Sequence, residues 1–165
     1  MFDSDIRSLA AELLEMSLER GFTVATVESC TGGLVGGALT AIAGSSSMVQ
    51  GGLITYSNEA KAALADVPMA LIKQHGAVSE PVARAMAEGG RKRLDATFSA
   101  SITGVAGPGG GSIEKPVGLV HFACAGPSGT HHRERRFGEL SRDEIRRLSV
   151  LEALDLLREM VLTGL

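Results

Sequence analysis

The sequence predicts an α/β protein: a three-layer α/β/α sandwich on a mixed five-stranded sheet with one antiparallel strand. Three observations predict it. Up to residue 104, short β-branched runs alternate with helical patterns, the order of parallel strands joined by right-handed crossovers. The last two strands are separated only by the turn "PSG" (127–129), so they form a hairpin. A long helical pattern over 141–161 then closes the chain. The 165 residues fit one domain, 1–165, with no repeat and no interdomain linker. That length buries a core without staples.

Residues 4 to 20 read as a helix, with Ser4 as N-cap and Ile6, Leu9, Ala10, Leu13 and Leu14 on one face; Gly21 stops it. "FTVATVE" (22–28) is a buried strand. "TGGLVGGALTAIAG" (31–44) is a helix of small residues whose internal glycines cost propensity, which close backbone approach to the sheet explains. "SMVQGGLITYS" (47–57) is the second strand, and "NEAKAALADV" (58–67) a short helix with Asn58 as its cap. Pro68 and Gly76 punctuate the next stretch. "SEPVARAMAEGGRKRL" (79–94) carries a helix-start signature in Ser79 and Pro81. "DATFSASITG" (95–104) is the third strand, and "VAGPGGGSIEKP" (105–116) is an irregular glycine loop. "VGLVHFACAG" (117–126) and "THHRERRF" (130–137) form the hairpin; "HHRERR" reads as an exposed strand face. "SRDEIRRLSVLEALDLLREMV" (141–161) starts with a capping box, Ser141 and Glu144.

Composition excludes several classes. A net charge of −3, no Trp and one Tyr give neither an electrostatic footprint nor a stacking platform for nucleic acid. The N-terminus is acidic and amphipathic, unlike a signal peptide. No apolar run approaches the roughly 20 residues of a membrane span. The expected compartment is the cytoplasm, with Cys30 and Cys124 reduced. The four histidines show no ligand spacing and there is no CxxC, so no metal is expected.

Ligands of open α/β sheets bind outside the carboxyl ends of the strands, at the switch in strand order. Three polar clusters fall on that edge: Glu28-Ser29-Cys30-Thr31, then Tyr56-Ser57-Asn58 with Lys61 one turn onward, then Ser101-Ile102-Thr103-Gly104 before the glycine loop. With the first strand between the other two, Ser29 is central. It precedes a helix N-terminus, where N–H groups favour an oxyanion. No histidine joins this constellation, so Lys61 is the available base, in a serine–lysine pattern. Lys61 serves only if burial or a cationic neighbour keeps it neutral. Tyr56 and Thr103 are placed to relay a proton or hold substrate. The bland readings stand beside these. Ser29 and Thr31 are equally well helix caps, Lys61 a solvated helix residue, Tyr56 a lid, and Cys30 either a rival nucleophile or a small buried apolar residue. The glycine loop is a connection or a backbone cradle for phosphate, and it is not a Walker loop. Arg142 and Arg146 lie one turn apart at a helix start, and Arg142 suits an anionic ligand or solvent. Glu28 has no evident role.

Taken together, "ESCTGG", "ITYSNEAK", "HGAVSE", "TGVAGPGGGSIEKPVGLV" and "RDEIRRLS" resemble the CinA C-terminal domain family over roughly residues 5 to 160. The resemblance implies an anticodon-binding-domain-like sandwich and nicotinamide-nucleotide amidohydrolase activity. That activity converts nicotinamide mononucleotide and water into nicotinic acid mononucleotide and ammonia, in pyridine nucleotide salvage. It implies Ser29 as nucleophile, Lys61 as its basic partner, and Tyr56 and Thr103 in support. The substrate would be bound by an arginine, Arg142 in preference to Arg146, with backbone N–H groups of Cys30, Thr31, Gly32 and Gly33 on the oxyanion. Gly104, Gly107 and Gly109 of the loop would approach the phosphate. It implies a homo-oligomer and no cofactor or metal. Many family proteins carry an N-terminal molybdopterin-binding-like domain with a pyrophosphatase activity. This chain starts at the C-terminal domain, so that second activity is expected to be absent. The rival expectations are a non-catalytic nucleotide-binding module and an amidase for another small carboxamide.

Overall fold

In the computed structural model, which describes residues 1–164, five strands form one sheet in the order β2-β1-β3-β4-β5. The strands are β1 (Val24–Glu28), β2 (Val49–Ile54), β3 (Phe98–Gly104), β4 (Leu119–Gly126) and β5 (Gly129–Arg136). Pairs β1–β2 and β1–β3 are parallel, and β4 is antiparallel to both β3 and β5. The single reversed strand is therefore β4, and β1 lies between β2 and β3 as the candidate site requires. Helices α1 (Ser4–Arg20), α2 (Leu34–Thr40) and α6 (Arg142–Gly164) cover one face, while α3 (Asn58–Ala65), α4 (Met69–His75) and α5 (Glu80–Arg93) cover the other.

Both faces of the sheet are covered, so β1 and β4 are buried throughout and β3 up to Thr103, even though β3 alternates Ser99, Ser101 and Thr103 with apolar residues. The larger core joins α1, α2 and α6 to the sheet, with Phe22 and Phe98 edge to face at 5.6 Å between ring centroids. On the opposite face α5 packs closely enough that a Cβ on Gly90 would meet Val27 Cγ2 at 2.1 Å. Two adjacent glycines inside α5 therefore act as a seat for the sheet and for α3.

Several boundaries move, each for a local reason. The cap of α1 is Asp3, whose carboxylate accepts the Ile6 N–H at 3.0 Å, and not Ser4. The cap of α3 is Ser57, which accepts from Ala60 N–H at 3.0 Å, and not Asn58. Helix α2 is shorter than residues 31–44, because Gly33 stands at φ +102° before it and a 3₁₀ turn at Ser45–Ser47 follows. Helix α4 was not expected; it occupies the space between the punctuating Pro68 and Gly76. Half of the α6 capping box forms: Ser141 Oγ accepts from Glu144 N–H at 3.2 Å, while the Glu144 carboxylate turns to Arg147. The β5 face is not simply solvated either. Arg133 pairs with Glu152, Asp155 and Glu159 of α6, and His132 meets His121 at 2.9 Å between ring nitrogens.

Candidate active site

Ser29 continues β1 by one residue, its N–H donating to Ile102 O at 2.9 Å. Side chains alternate along a strand. Val27 packs into the α3–α5 cluster, so Ser29, two residues on, points to that same side. There Lys61 Nζ lies 3.1 Å from Ser29 Oγ, 2.8 Å from Thr55 O and 3.4 Å from Tyr56 O. Lys61 is 1% exposed, and burial lowers its pKa below the ordinary lysine value. A neutral amine has two N–H donors and one lone pair. Two backbone carbonyls take the two donors, which leaves the lone pair for the Ser29 hydroxyl. The same three contacts fix the amine beside the Ser29 hydroxyl.

Cys30 fares differently. Its thiol is buried and desolvation pushes its pKa up to about 12, so it is not a ready nucleophile. Thr31 is fully buried and its hydroxyl finds no partner among the described residues.

The helix N-terminus expected to hold an anion is already occupied, by Glu28. That carboxylate, 1% exposed, accepts N–H groups from Gly33 (3.0 Å), Val35 (3.1 Å) and Gly36 (2.8 Å). Gly32 N–H donates to Ser29 O at 3.0 Å. Neither Gly32 nor Gly33 therefore offers a free donor to an oxyanion, which corrects that expectation. The N–H groups of Cys30 and Thr31 have no hydrogen-bond partner from another residue among the described residues; Thr31 is fully enclosed and Cys30 is 6% exposed. The role missing for Glu28 is now visible. Gly33 has no capping side chain, so the orphan donors of α2 require an acceptor from elsewhere. A carboxylate five residues upstream supplies it.

The supporting residues spread out. Thr103 is buried on the Lys61 side of the sheet, but its hydroxyl donates to Ala77 O at 2.9 Å rather than to Ser29. The Tyr56 ring is 61% exposed, and its hydroxyl accepts from Arg142 Nη2 at 3.2 Å. Arg142 Nη1 also donates to Gly107 O at 2.8 Å, so this arginine ties the glycine loop to Tyr56 on the rim. Arg146 turns to the far side of the Ser29 turn, donating from Nε to Cys30 O (3.2 Å) and from Nη2 to Thr31 O (3.3 Å). Gly104 and Gly107 are sterically required, since a Cβ would meet Val120 Cγ2 at 2.7 Å and Val117 Cγ1 at 2.6 Å respectively. Gly109 stands in open space on a concavity of about 480 Å³ whose lining includes Glu139 and no cation.

The CinA C-terminal domain model matches residues 6–161. A CinA-like protein of Synechococcus sp. (strain RCC307) is 56% identical over 158 residues, covering 95% of this chain and 38% of the relative. One from Gloeobacter violaceus is 48% identical and covers 98% of this chain and 38% of the relative. The chain thus spans well under half the length of these relatives. Among solved structures, the competence/damage inducible protein CihA from Agrobacterium tumefaciens superposes with a TM-score of 0.95 at 46% identity, covering 97% of this chain and 98% of that one. A competence damage-inducible protein A from Klebsiella pneumoniae gives 0.92 at 31% identity, covering 97% and 99%.

Proposed function

This chain belongs to the CinA C-terminal domain family, and on the geometry of its serine–lysine pair we propose that it is an amidohydrolase that converts nicotinamide mononucleotide to nicotinic acid mononucleotide and ammonia. The observation that carries the reading is Lys61 Nζ, buried and 3.1 Å from Ser29 Oγ, with two carbonyls fixing its orientation. Burying an amine without need is costly. A module that only held a nucleotide has no use for one here.

The reaction runs through an acyl-enzyme. Neutral Lys61 takes the proton of the Ser29 hydroxyl as Oγ attacks the carboxamide carbon. The carbonyl oxygen becomes an oxyanion, met by the Cys30 N–H. The C–N bond breaks, and ammonia leaves with the proton carried by Lys61. Water then enters, gives a proton to Lys61 and attacks the ester carbon. Ser29 departs, recovers its proton from Lys61, and the carboxylate product is released. Arg142 and Tyr56, joined at the rim, receive the nucleotide phosphate and frame the entrance. We propose a cytoplasmic compartment and, as the family resemblance implies, a homo-oligomer. Among the described residues no helix is long and apolar enough to cross a membrane.

The test is ammonia release from nicotinamide mononucleotide by the purified chain and by Ser29→Ala. Loss of release in a folded variant supports the reading; full activity sinks it. A panel of other small carboxamides decides whether the substrate is the mononucleotide or a relative of it.

A further inference from the structure

The carbonyl oxygens of the Ser29 turn are all engaged. Ser29 O accepts from Gly32 N–H, and Thr31 O accepts from Leu34 N–H as well as from Arg146. Cys30 O accepts from Arg146 Nε. Arg146 reaches the turn from α6, on the sheet face opposite Lys61. Its two donors grip two successive carbonyls, a fork that lysine's single point charge does not reproduce. The gripped carbonyls are drawn toward α6, away from the face where Ser29 meets its base.

This matters for the chemistry. A carbonyl oxygen facing the reacting carbon would repel the developing oxyanion, whereas an N–H would stabilise it. With acceptors held to one side, the Cys30 N–H, directly after Ser29, is left without a partner from another residue among the described residues. Only one other side chain fixes the turn, the Glu28 carboxylate on the α2 N–H groups, and it acts on residues 33–36 rather than on Cys30 or Thr31. Arg146 is therefore the sole side chain that holds the two residues directly after Ser29, among the described residues.

We infer that Arg146 is a positioning residue: it clamps the Cys30 and Thr31 carbonyls so that the nucleophile turn presents a backbone donor, and no acceptor, to the transition state. It does not bind the substrate phosphate. The inference rests on Ser29 being the nucleophile, and it separates two arginines one turn apart, with Arg142 facing the ligand and Arg146 facing the protein.

The experiment compares wild type, Arg146→Lys and Arg146→Met by two readouts. The first is steady-state hydrolysis of nicotinamide mononucleotide. The second is the rate at which a fluorophosphonate, a general serine-reactive probe whose P=O needs the same donor, labels Ser29. Misplacing a catalytic group costs up to about 10²-fold. Both variants should lose roughly 10- to 100-fold in kcat with KM within about twofold, and lose labelling rate by a similar factor. The pH profile should keep its shape, because Lys61 is untouched. Raised KM with unchanged kcat and unchanged labelling overturns the inference and returns Arg146 to the phosphate. If wild type labels at Ser29 yet releases no ammonia, the substrate reading fails, and the labelling ratio between wild type and Arg146→Lys still decides the role of Arg146. A variant that melts early is read against Arg146→Lys, which keeps the charge and the stem.

Discussion

Lys61 Nζ lies 3.1 Å from Ser29 Oγ across 32 positions of sequence, with α2, the 3₁₀ turn, β2 and the start of α3 between them. The contact exists because β1 and β2 are neighbours in parallel register, which brings the residues after both strands to one edge. Helix α3 starts at that edge, and Lys61 reaches back from its first turn.

Replacing Lys61 by Met should abolish the base while leaving an apolar stem in the pocket. General base catalysis is worth roughly 10²–10⁴-fold, so kcat should fall by that order, with a folded protein by circular dichroism. Activity retained in Lys61→Met would remove this lysine from the mechanism.

Acidity gives a second handle on the same residue. Burial lowers the folded pKa of Lys61 below 10.5. The proposed reaction needs the neutral amine, so kcat/KM should rise with pH through an ionisation whose midpoint lies below 10.5. The stability effect has a defined sign. Between the lowered folded pKa and 10.5 the unfolded chain binds more protons at this site than the folded one, so this group's contribution to stability rises with pH across that window and is lost as pH falls through it. Subtracting the pH–stability curve of Lys61→Met from that of wild type isolates the effect; a flat difference contradicts it.

Cys30 provides the control for the nucleophile. With its thiol pushed up to about 12, it carries almost no thiolate at neutral pH. Cys30→Ser should keep kcat within a few-fold, and iodoacetamide at neutral pH should leave wild-type activity intact. Rapid inactivation by the reagent would move the nucleophile one residue along.

How much of this the sequence disclosed depends on the range of each interaction. Strand order and the edge that gathers Ser29, Lys61 and Tyr56 follow from alternating elements and right-handed crossovers, which are local patterns plus one topological rule. The partners of individual donors were not legible. Nothing in "HGAVSE" says that Ala77 O takes the Thr103 hydroxyl, and nothing in "RDEIRR" says which arginine turns inward. Those depend on helix rotation by a fraction of a turn. Helix α4 escaped because seven residues between a proline and a glycine carry too little periodicity to distinguish from a loop. Glu28 was the closest miss. A glutamate ending a buried strand before a glycine-opened helix is a carboxylate with orphan donors directly ahead of it.

That relationship is testable through stability. Glu28→Gln keeps the shape but offers one acceptor oxygen and an NH₂ where three N–H groups now converge. Leaving a buried donor unsatisfied costs about 1–3 kcal/mol, and hydrogen bonds to charged acceptors lie toward the upper part of that range. Chemical denaturation should show a loss of about 2–3 kcal/mol, with kcat reduced because the turn carrying Ser29 abuts the loosened helix start. A variant as stable as wild type would mean that water replaces the carboxylate at no cost.

The last prediction concerns a glycine far from the chemistry. A Cβ on Gly89 would stand 1.6 Å from Ala65 O, the backbone at the end of α3. Gly→Ala inside a helix ordinarily gains up to about 1 kcal/mol from propensity. Here the obstacle is a backbone carbonyl, not the end of a flexible side chain, so relief requires α3 to move bodily away from α5. Overpacking costs typically about 1–3 kcal/mol, and the backbone clash puts Gly89→Ala at the upper end, enough to outweigh the propensity gain. Since Lys61 sits one turn before Ala65 on the same short helix, displacing α3 also lengthens its distance to Ser29. The variant should therefore melt at a lower temperature and lose kcat with little change in KM, because the base moves and the rim formed by Tyr56 and Arg142 does not. A raised melting temperature would show that propensity wins and that the close seating of α3 on α5 does not hold Lys61 in place.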